Sequence, residues 1–554
     1  MPGKQDKQYE SFLDTLKTIN RGTEERETQI KALTSEMSYV NLFGYPVDLQ
    51  VLALFPKELA EETRAIAFFK KDTELRVGIV NPNNLAAKDK IEKIARKKKM
   101  KVIFSLISES SFLYGLNLYK KIGEETKVTE DIEVKIEDIG RFQEKIKSIT
   151  DLEKILKTAS TTEIVNTIFA GAIVGRASDI HLEPTEEKVK VRYRIDGILD
   201  DVAELNKKIY PTILSRIKFL AKMKLNIEDV PQDGKFSVRS LGRRFDIRVS
   251  SLPTPYGESL VMRLLDQQQR VLSLEELGMM GRALDEVEKA IKKTNGMILS
   301  CGPTGSGKTT TLYAFLGKLN TEERKIITIE DPIEYKLSGI SQSQVDSEGD
   351  YTFANGLKSI VRQDPDIVMV GEIRDQETAD IAVNAALTGH LMLSTLHTND
   401  ASGAIPRLID MGIQPFLLAS GLSVIIAQRL VRRVCEECVE ELPVTNDQLN
   451  KIKTVIEKLP EEEKKAIDLS KIKTLRKGKG CSECNKTGYK GRVGLFEVLV
   501  VTKEMKKLIH EGGSGDVVKE LALKEGMVTL EQDGVLKVLD GVTTLEEVER
   551  VTAE

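Results

Sequence analysis

The sequence predicts an α/β protein of several domains, the last of them built around a phosphate-binding loop. Three observations carry this. First, Met297–Ser300 (MILS) is a short apolar strand, followed by Gly302-Pro303-Thr304-Gly305-Ser306-Gly307-Lys308-Thr309-Thr310 and then by an apolar helical run, TLYAFLGKL. This is G-x-x-x-x-G-K-[ST] in the strand–loop–helix setting the pattern requires. Second, Asp366–Val370 (DIVMV) reads as a buried strand that ends at Gly371-Glu372. Third, Lys188–Ile195 (KVKVRYRI) and Arg244–Ser250 (RFDIRVS) alternate upstream like half-buried strands of a separate domain.

Bulk properties agree with a multidomain globular chain. The 554 residues allow three or four domains at ~100–200 residues each. A 40% hydrophobic and 30% charged composition is ordinary for a protein with packed cores. The formal net charge of -4 makes no global case for nucleic acid or anionic lipid. The opening MPGKQDKQYE is polar and has no apolar signal region, so an intracellular protein is expected. Met411–Gln428 is uncharged, but Gly412, Gln414, Pro415 and Gly421 interrupt it. It is expected to form a buried pair of short helices rather than a membrane span, leaving only peripheral membrane attachment.

In chain order, residues 1–40 are charged and predict a helical extension. Residues 41–120 predict a small α/β domain with strands at Ala65–Phe69 and Arg76–Val80, a turn at Pro82–Asn83 and a helix at Ala86–Lys99. The basic run Arg96–Lys101 suits a solvated helix end. Residues 121–149 are Lys/Glu-rich and weakly patterned, as a linker would be. A second domain spans 150–268 and opens on a helix at Ile164–Val174. The third spans 272–554 and carries a four-cysteine module at about 432–490. Internal repeats are not evident.

The chemistry sits in this third domain. Glycines let backbone N–H groups converge on phosphate oxygens, and the helix start adds a favourable dipole. Lys308 is placed to reach the β- and γ-phosphates of ATP and Thr309 to ligate Mg²⁺. Glu372, at a strand end beside the loop, supplies the negative charge that the ion or its water shell needs. Between them, Ile326–Tyr335 (IITIEDPIEY) is a strand and an acidic turn with Glu330, Asp331 and Glu334. One of these carboxylates could orient the attacking water while the others hold structure. His390 and His397, two of only four histidines, flank the apolar strand of TGHLMLSTLHT. An imidazole there can donate to charge developing on phosphate.

Five cysteines include two C-x-x-C pairs, Cys435/Cys438 and Cys481/Cys484. Four thiolates from two knuckles suit tetrahedral Zn²⁺ in a closed structural site. Cys301 is the odd one and is expected to pack as a small residue.

The four blocks, in this order, resemble the secretion ATPases of type II secretion and type IV pilus assembly, the GspE/PilB type. The phosphate loop, TIEDPIEY, RQDPDIVMVGEIRD and TGHLMLSTLHTND all match, as do SDIHLEP, VRYRIDG, SRIK, PQDGK and RVSSLPTPYGE upstream. The resemblance covers about residues 150–554. It implies a RecA-like motor domain preceded by a PAS-like domain, assembled as a homohexamer with ATP between the two domains. It implies Glu334 as the water-activating carboxylate, Glu372 as the Walker B acid and His397 as a γ-phosphate contact. Arg248 and Arg263 match the arginines that reach nucleotide from the preceding domain. The implied setting is the cytoplasmic face of the inner membrane, with a membrane platform protein and cytoplasmic assembly proteins as partners. The cysteine site matches pilus-extension and secretion members rather than retraction members.

The chain departs from the family pattern in three places. Lys358 stands where arginine is usual, Asn226–Val230 lacks a basic pair before PQDGK, and the N-terminal domain lacks the cyclic-di-GMP motif, so that ligand is not expected. The alternative reading, a nucleic-acid-translocating RecA-like motor, is disfavoured by the mild charge, the absence of Trp and the few aromatics. A nucleotide-gated scaffold without catalysis is disfavoured by the intact Lys308, Glu334 and Glu372.

Overall fold

The computed structural model describes residues 24–553, apart from 36, 45–46, 48, 53, 72–73, 98–99, 126–130, 134–160, 241, 269, 347–348, 350 and 466. The chain divides into two compact units, Met1–Ile132 and Glu133–Glu554.

The first unit holds a four-stranded sheet of β1 (Ser38–Tyr39), β2 (Ala65–Lys71), β3 (Glu74–Ile79) and β4 (Lys101–Leu106), in the order β1-β4-β3-β2. The two expected strands are β2 and β3, which pair antiparallel, and the expected helix runs Leu85–Lys97. The basic run ends that helix, with Arg96 on Glu92 at 3.0 Å, and leads into β4. Of the expected N-terminal extension, residues 24–34 are helical and 1–23 lie outside the described residues. The buried Glu25 carboxylate ties this helix down by accepting from Ser108 Oγ at 2.6 Å, Ser111 Oγ at 2.8 Å and Tyr39 Oη at 2.6 Å. Most of the expected linker also lies outside the described residues, although helix Glu109–Glu125 enters it.

Strand β5 (Asp131–Glu133) stands at the boundary of the two units; the second unit holds an antiparallel sheet of β6 (Ala177–Pro184), β7 (Lys188–Ile195), β8 (Ile198–Asn206), β9 (Gln232–Ser240), β10 (Arg243–Thr254) and β11 (Gly257–Asp266). Their order is β9-β10-β11-β6-β7-β8. Alternation sends Ile180, Leu182, Val189, Val191, Leu260 and Met262 to a buried face. Helices Thr161–Val174 and Tyr210–Leu220 belong to this domain and bury Phe169, Ile213 and Ile217. The opposite face keeps the charged residues of the same strands.

The nucleotide-loop domain adds a second sheet: β12 (Gly296–Cys301), β13 (Ile326–Glu330), β14 (Ser341–Gln344), β15 (Ile367–Val370), β16 (Leu391–Leu396), β17 (Leu422–Val434) and β20 (Tyr489–Val500). The order is β14-β13-β15-β16-β12-β17-β20, parallel except for β20. Its central strands are buried along their whole length, because helices cover both faces. Ile298 packs with Leu312, Tyr313 and Phe315 of helix Lys308–Leu319 on one face; Met297 and Leu299 pack with Ala382, Val383 and Leu418 on the other.

One expectation is corrected here. Met411–Gln428 is not two helices: Pro415–Gly421 is helical, but the chain enters β17 at Leu422. A strand buried on both faces is apolar throughout, so periodicity cannot separate it from a buried helix. Among the described residues no helix is long and apolar enough to cross a membrane. Beyond β17, the pair β18 (Val439–Pro443) and β19 (Thr474–Gly478) carries the cysteine module, and helices Leu530–Leu539 and Leu545–Thr552 close the chain.

Candidate nucleotide cleft and metal centre

Parallel register brings the predicted residues to one edge of the sheet that holds β12. Cys301 is paired with Leu396, and Val370 with both Ile329 and Ser394. The segments leaving the carboxyl ends of β12, β13, β15 and β16 therefore meet, and open α/β sheets bind ligands at that edge. A cleft of about 610 Å³ lies there, lined by Thr304, Gly305, Ser306, Gly307, Lys308, Thr309, Thr310, Asp331, Glu334, Glu372, His397 and Arg263.

The loop wraps tightly. Gly302 and Gly307 hold φ of 147° and 91°, and a Cβ on either would lie 2.6 Å or 2.8 Å from Gln428. Lys308 Nζ donates to the carbonyls of Gly302 at 2.8 Å and Pro303 at 3.0 Å, so its ammonium lies over the loop. Burial pushes its pKa down. Ser306 Oγ is buried without a protein partner, and the helix starting at Lys308 has no side-chain cap. A buried hydroxyl and uncapped N–H groups in a cleft with a lysine fit a phosphate group. Thr309, on the first turn, offers a hydroxyl of the type that ligates Mg²⁺ beside phosphate.

The acidic turn separates its carboxylates by environment. Glu330 is 2% exposed and accepts from Tyr313 Oη, from Thr328 Oγ1 at 2.6 Å and from Gln342 Nε2 at 3.3 Å. Burial raises its pKa. Its lone pairs are committed to the fold. Glu334 is half-buried and faces the cleft.

Glu372 sits between Arg374 and His397. Its Oε1 lies 2.5 Å from Arg374 Nη2 and its Oε2 lies 3.3 Å from His397 Nε2. His390 is at the other end of β16, with Nδ1 3.1 Å from Ala385 O, so only one of the two histidines reaches the cleft. Lys358 pairs with Glu377 between neighbouring helices. Cys301 packs as a small residue: burial raises its thiol to about 12, and its Sγ lies 3.3 Å from Asp400 O.

The second domain delivers two arginines. Arg263 lines the cleft, with Nε donating to Asp179 Oδ1 at 2.9 Å. Arg248 Nη2 donates to Ile333 O at 2.9 Å, and its Nη1 lies 3.9 Å from Glu334 Oε2. The sequence reading missed Arg374, Gln342 and Asp179. Arg374 could have been found two residues past Glu372; the other two reach the site through strand pairing and leave no local signal.

The four cysteine sulfurs lie within 4.8 Å of one another. Cys435–Cys481 is 3.9 Å, Cys438–Cys484 is 3.8 Å and Cys481–Cys484 is 3.7 Å. A tetrahedron with Zn–S of about 2.3 Å has S–S edges of about 3.8 Å, so the set fits zinc. Backbone N–H groups of Gly480, Cys481 and Gly488 donate to the sulfurs at 3.3, 3.1 and 3.3 Å, which favours thiolates.

Comparison with known proteins agrees with this geometry. The family described as "Type II/IV secretion system protein" matches residues 155–550, and the MshEN domain matches 35–125. The chain is 40% identical to the type II secretion system ATPase E of Vibrio cholerae over 92% of this chain and 98% of that one. It is 39% identical to the type IV pilus assembly ATPase PilB of Myxococcus xanthus over 93% and 88%. The crystal structure of the Legionella pneumophila ATPase DotB shares the fold, with a TM-score of 0.51 at 21% identity over 72% of this chain and 97% of that one. The nucleic-acid motor reading finds no support among these relatives. Phosphate loop, fold and relatives agree: the chain is an ATPase and belongs to the type II/IV secretion system protein family.

Proposed function

We propose that the chain is a homohexameric ATP-driven motor that powers assembly of a type IV pilus or a type II secretion pseudopilus. It works at the cytoplasmic face of the inner membrane, docked on a membrane platform protein and cytoplasmic assembly proteins. The observation that carries this is the single cleft that gathers Lys308, Thr309, Glu334, Glu372, His397 and Arg263 from two domains. The cysteine centre favours extension or secretion over retraction.

In this reading Gly302–Thr310 wraps the phosphates and Lys308 binds the β- and γ-oxygens. Thr309 holds Mg²⁺, with Glu372 on its water shell; the ion neutralises phosphate charge when bound. Glu334 orients the attacking water. Its placement supports this: Glu330 is locked in the core, whereas Asp331 and Glu334 line the cleft, and of these Glu334 lies beside Arg248. His397 contacts the γ-phosphate, and Arg248 and Arg263 stabilise charge developing there. Cys435, Cys438, Cys481 and Cys484 hold a structural Zn²⁺.

The test is the mass and turnover of the purified full chain. Light scattering with ATP and Mg²⁺ is expected to give a hexamer that releases phosphate, and Lys308→Ala should lose nucleotide binding. A monomer with undiminished turnover per chain would overturn the ring.

A further inference from the structure

Five adjacent strands set five charged side chains in one row. Pairing places Lys235 opposite Arg248, Arg248 opposite Arg263, Arg263 opposite Asp179 and Asp179 opposite Arg194. Directly opposite residues share a face, about 4.5–5.5 Å apart at Cβ. The row thus holds four cations and a single carboxylate. Like charges directly opposite are destabilising, so Arg248 and Arg263 need a counter-charge to stay side by side.

Asp179 supplies it. It is 4% exposed, and both oxygens are engaged. Oδ1 accepts from Arg263 Nε at 2.9 Å; Oδ2 accepts from Ser178 Oγ at 2.8 Å and lies 3.4 Å from Arg194 Nε. The carboxylate is therefore fixed from two sides before it grips Arg263. That grip is on Nε alone. The guanidinium is mostly exposed, and its two terminal nitrogens have no protein partner among the described residues. A guanidinium held by Nε keeps its plane fixed and its two-nitrogen fork free, and that fork matches phosphate bidentately.

We propose that Asp179 is a positioning residue for ATP turnover: it aims the Arg263 fork into the nucleotide cleft. This rests on the reading of Arg263 as a phosphate contact. Asp179 touches no substrate and acts through Arg263. A misplacement of about 1 Å can cost about a hundredfold in rate, so the grip matters to the chemical step more than to affinity.

The test uses the full chain and steady-state phosphate release, with melting temperature as a fold control. Asp179→Asn is expected to lower kcat by about tenfold to a hundredfold, with KM for ATP changed less than about twofold, as fits an interaction made mainly in the transition state. Asp179→Glu should recover part of the loss. Arg263→Lys keeps the charge but lacks the Nε–H, and should match the Asn variant even if that variant melts early. In the Arg263→Ala background, Asp179→Asn should cost nothing more. Parental turnover of Asp179→Asn or Arg263→Lys beside a slow Arg263→Ala overturns the positioning role and leaves the Arg263 reading intact. A loss from Asp179→Asn that persists undiminished in Arg263→Ala also overturns it, since the carboxylate would then act elsewhere. Parental turnover of Arg263→Ala itself removes the Arg263 reading and the proposal with it.

Discussion

His397 Nε2 lies 3.3 Å from Glu372 Oε2, and the carboxylate's other oxygen lies 2.5 Å from Arg374 Nη2. Glu372 is thus held in place by side chains that reach it from beyond β15 and β16, beside the phosphate loop. In the proposed reading an acid fixed there acts on the metal's water shell without being needed for phosphate affinity, which that reading assigns to Lys308 and the loop. Glu372→Gln is therefore expected to bind ATP like the parent and to lose most turnover. Nucleotide-binding and phosphate-release assays on the same preparation check this; a Gln variant at parental rate would remove Glu372 from the chemistry.

The cysteine centre predicts one zinc per chain with a folding role. Its sulfurs already stand at tetrahedral spacing, and three backbone N–H groups point at them. Structural zinc contributes about 10–16 kcal/mol of apparent binding energy in small peptides. Elemental analysis of chelator-free protein should find one equivalent, and Cys435→Ser should lose both metal and thermal stability. Protein that is fully stable and metal-free after such a preparation contradicts the assignment.

Much of this site is legible in the chain because local order suffices for it. The phosphate loop needs only a strand, a run of glycines and a helix in sequence, and the structure has them at Gly296–Cys301 and Lys308–Leu319. Residue chemistry alone does not tell His397 from His390, since both flank the same strand and only the direction of β16 decides which faces the loop; the family resemblance is what points to His397. Glu330 and Glu334 are likewise separated in the sequence only by the resemblance, which points to Glu334. They stand four positions apart, and what distinguishes them is Gln342 on a neighbouring strand and Tyr313 on a helix. Leu422–Gln428 was misread because a strand buried on both faces carries no period-two signal.

A pH prediction follows from the C-terminal helix Leu545–Thr552. Glu547 accepts from Arg432 N at 2.9 Å and Nη2 at 2.7 Å, and from Arg550 Nε at 2.9 Å and Nη2 at 2.7 Å. Burial alone would raise this carboxyl, but the hydrogen bonds from Arg550 and Arg432 outweigh it and hold the pKa at about 2. A folded-state pKa below the unfolded one stabilises the protein above the unfolded value, and the contribution is lost as pH falls from about 4.5 to about 2, for a total of about 3 kcal/mol. The melting-temperature gap between the parent and Glu547→Gln should therefore be wide at pH 7 and shrink by about half at pH 3. Comparing the two chains cancels other acid effects. An unchanged gap would show that the carboxylate's charge contributes nothing.

The last prediction concerns Arg248 as a link between domains. It lies on β10 of the second domain, yet its guanidinium donates to Ile333 O at 2.9 Å in the acidic turn of the motor domain. Its other terminal nitrogen lies 3.9 Å from Glu334, the carboxylate proposed to orient water. A residue of an alternating strand could be an ordinary exposed polar side chain, worth little when removed. Arg248 does not fit that description: it is half-buried, burial lowers its pKa, and its backbone-carbonyl contact is to another domain. With Arg248 touching the acidic turn and Arg263 entering the cleft from the adjacent strand, the proposed roles would couple domain position to chemistry. Arginines delivered to phosphoryl groups are worth about 10³–10⁵ in rate in other enzymes. Arg248→Ala and Arg263→Ala are each expected to cut kcat strongly with the melting temperature unchanged. Arg248→Lys should not rescue, because an ammonium cannot span the carbonyl of Ile333 and the Glu334 carboxylate as a planar fork does. Single-turnover measurements should place the loss in the chemical step, as expected for a contact that matters most with the domains closed over ATP. Parental turnover in both Ala variants would mean that the second domain carries the motor domain's position but takes no part in hydrolysis.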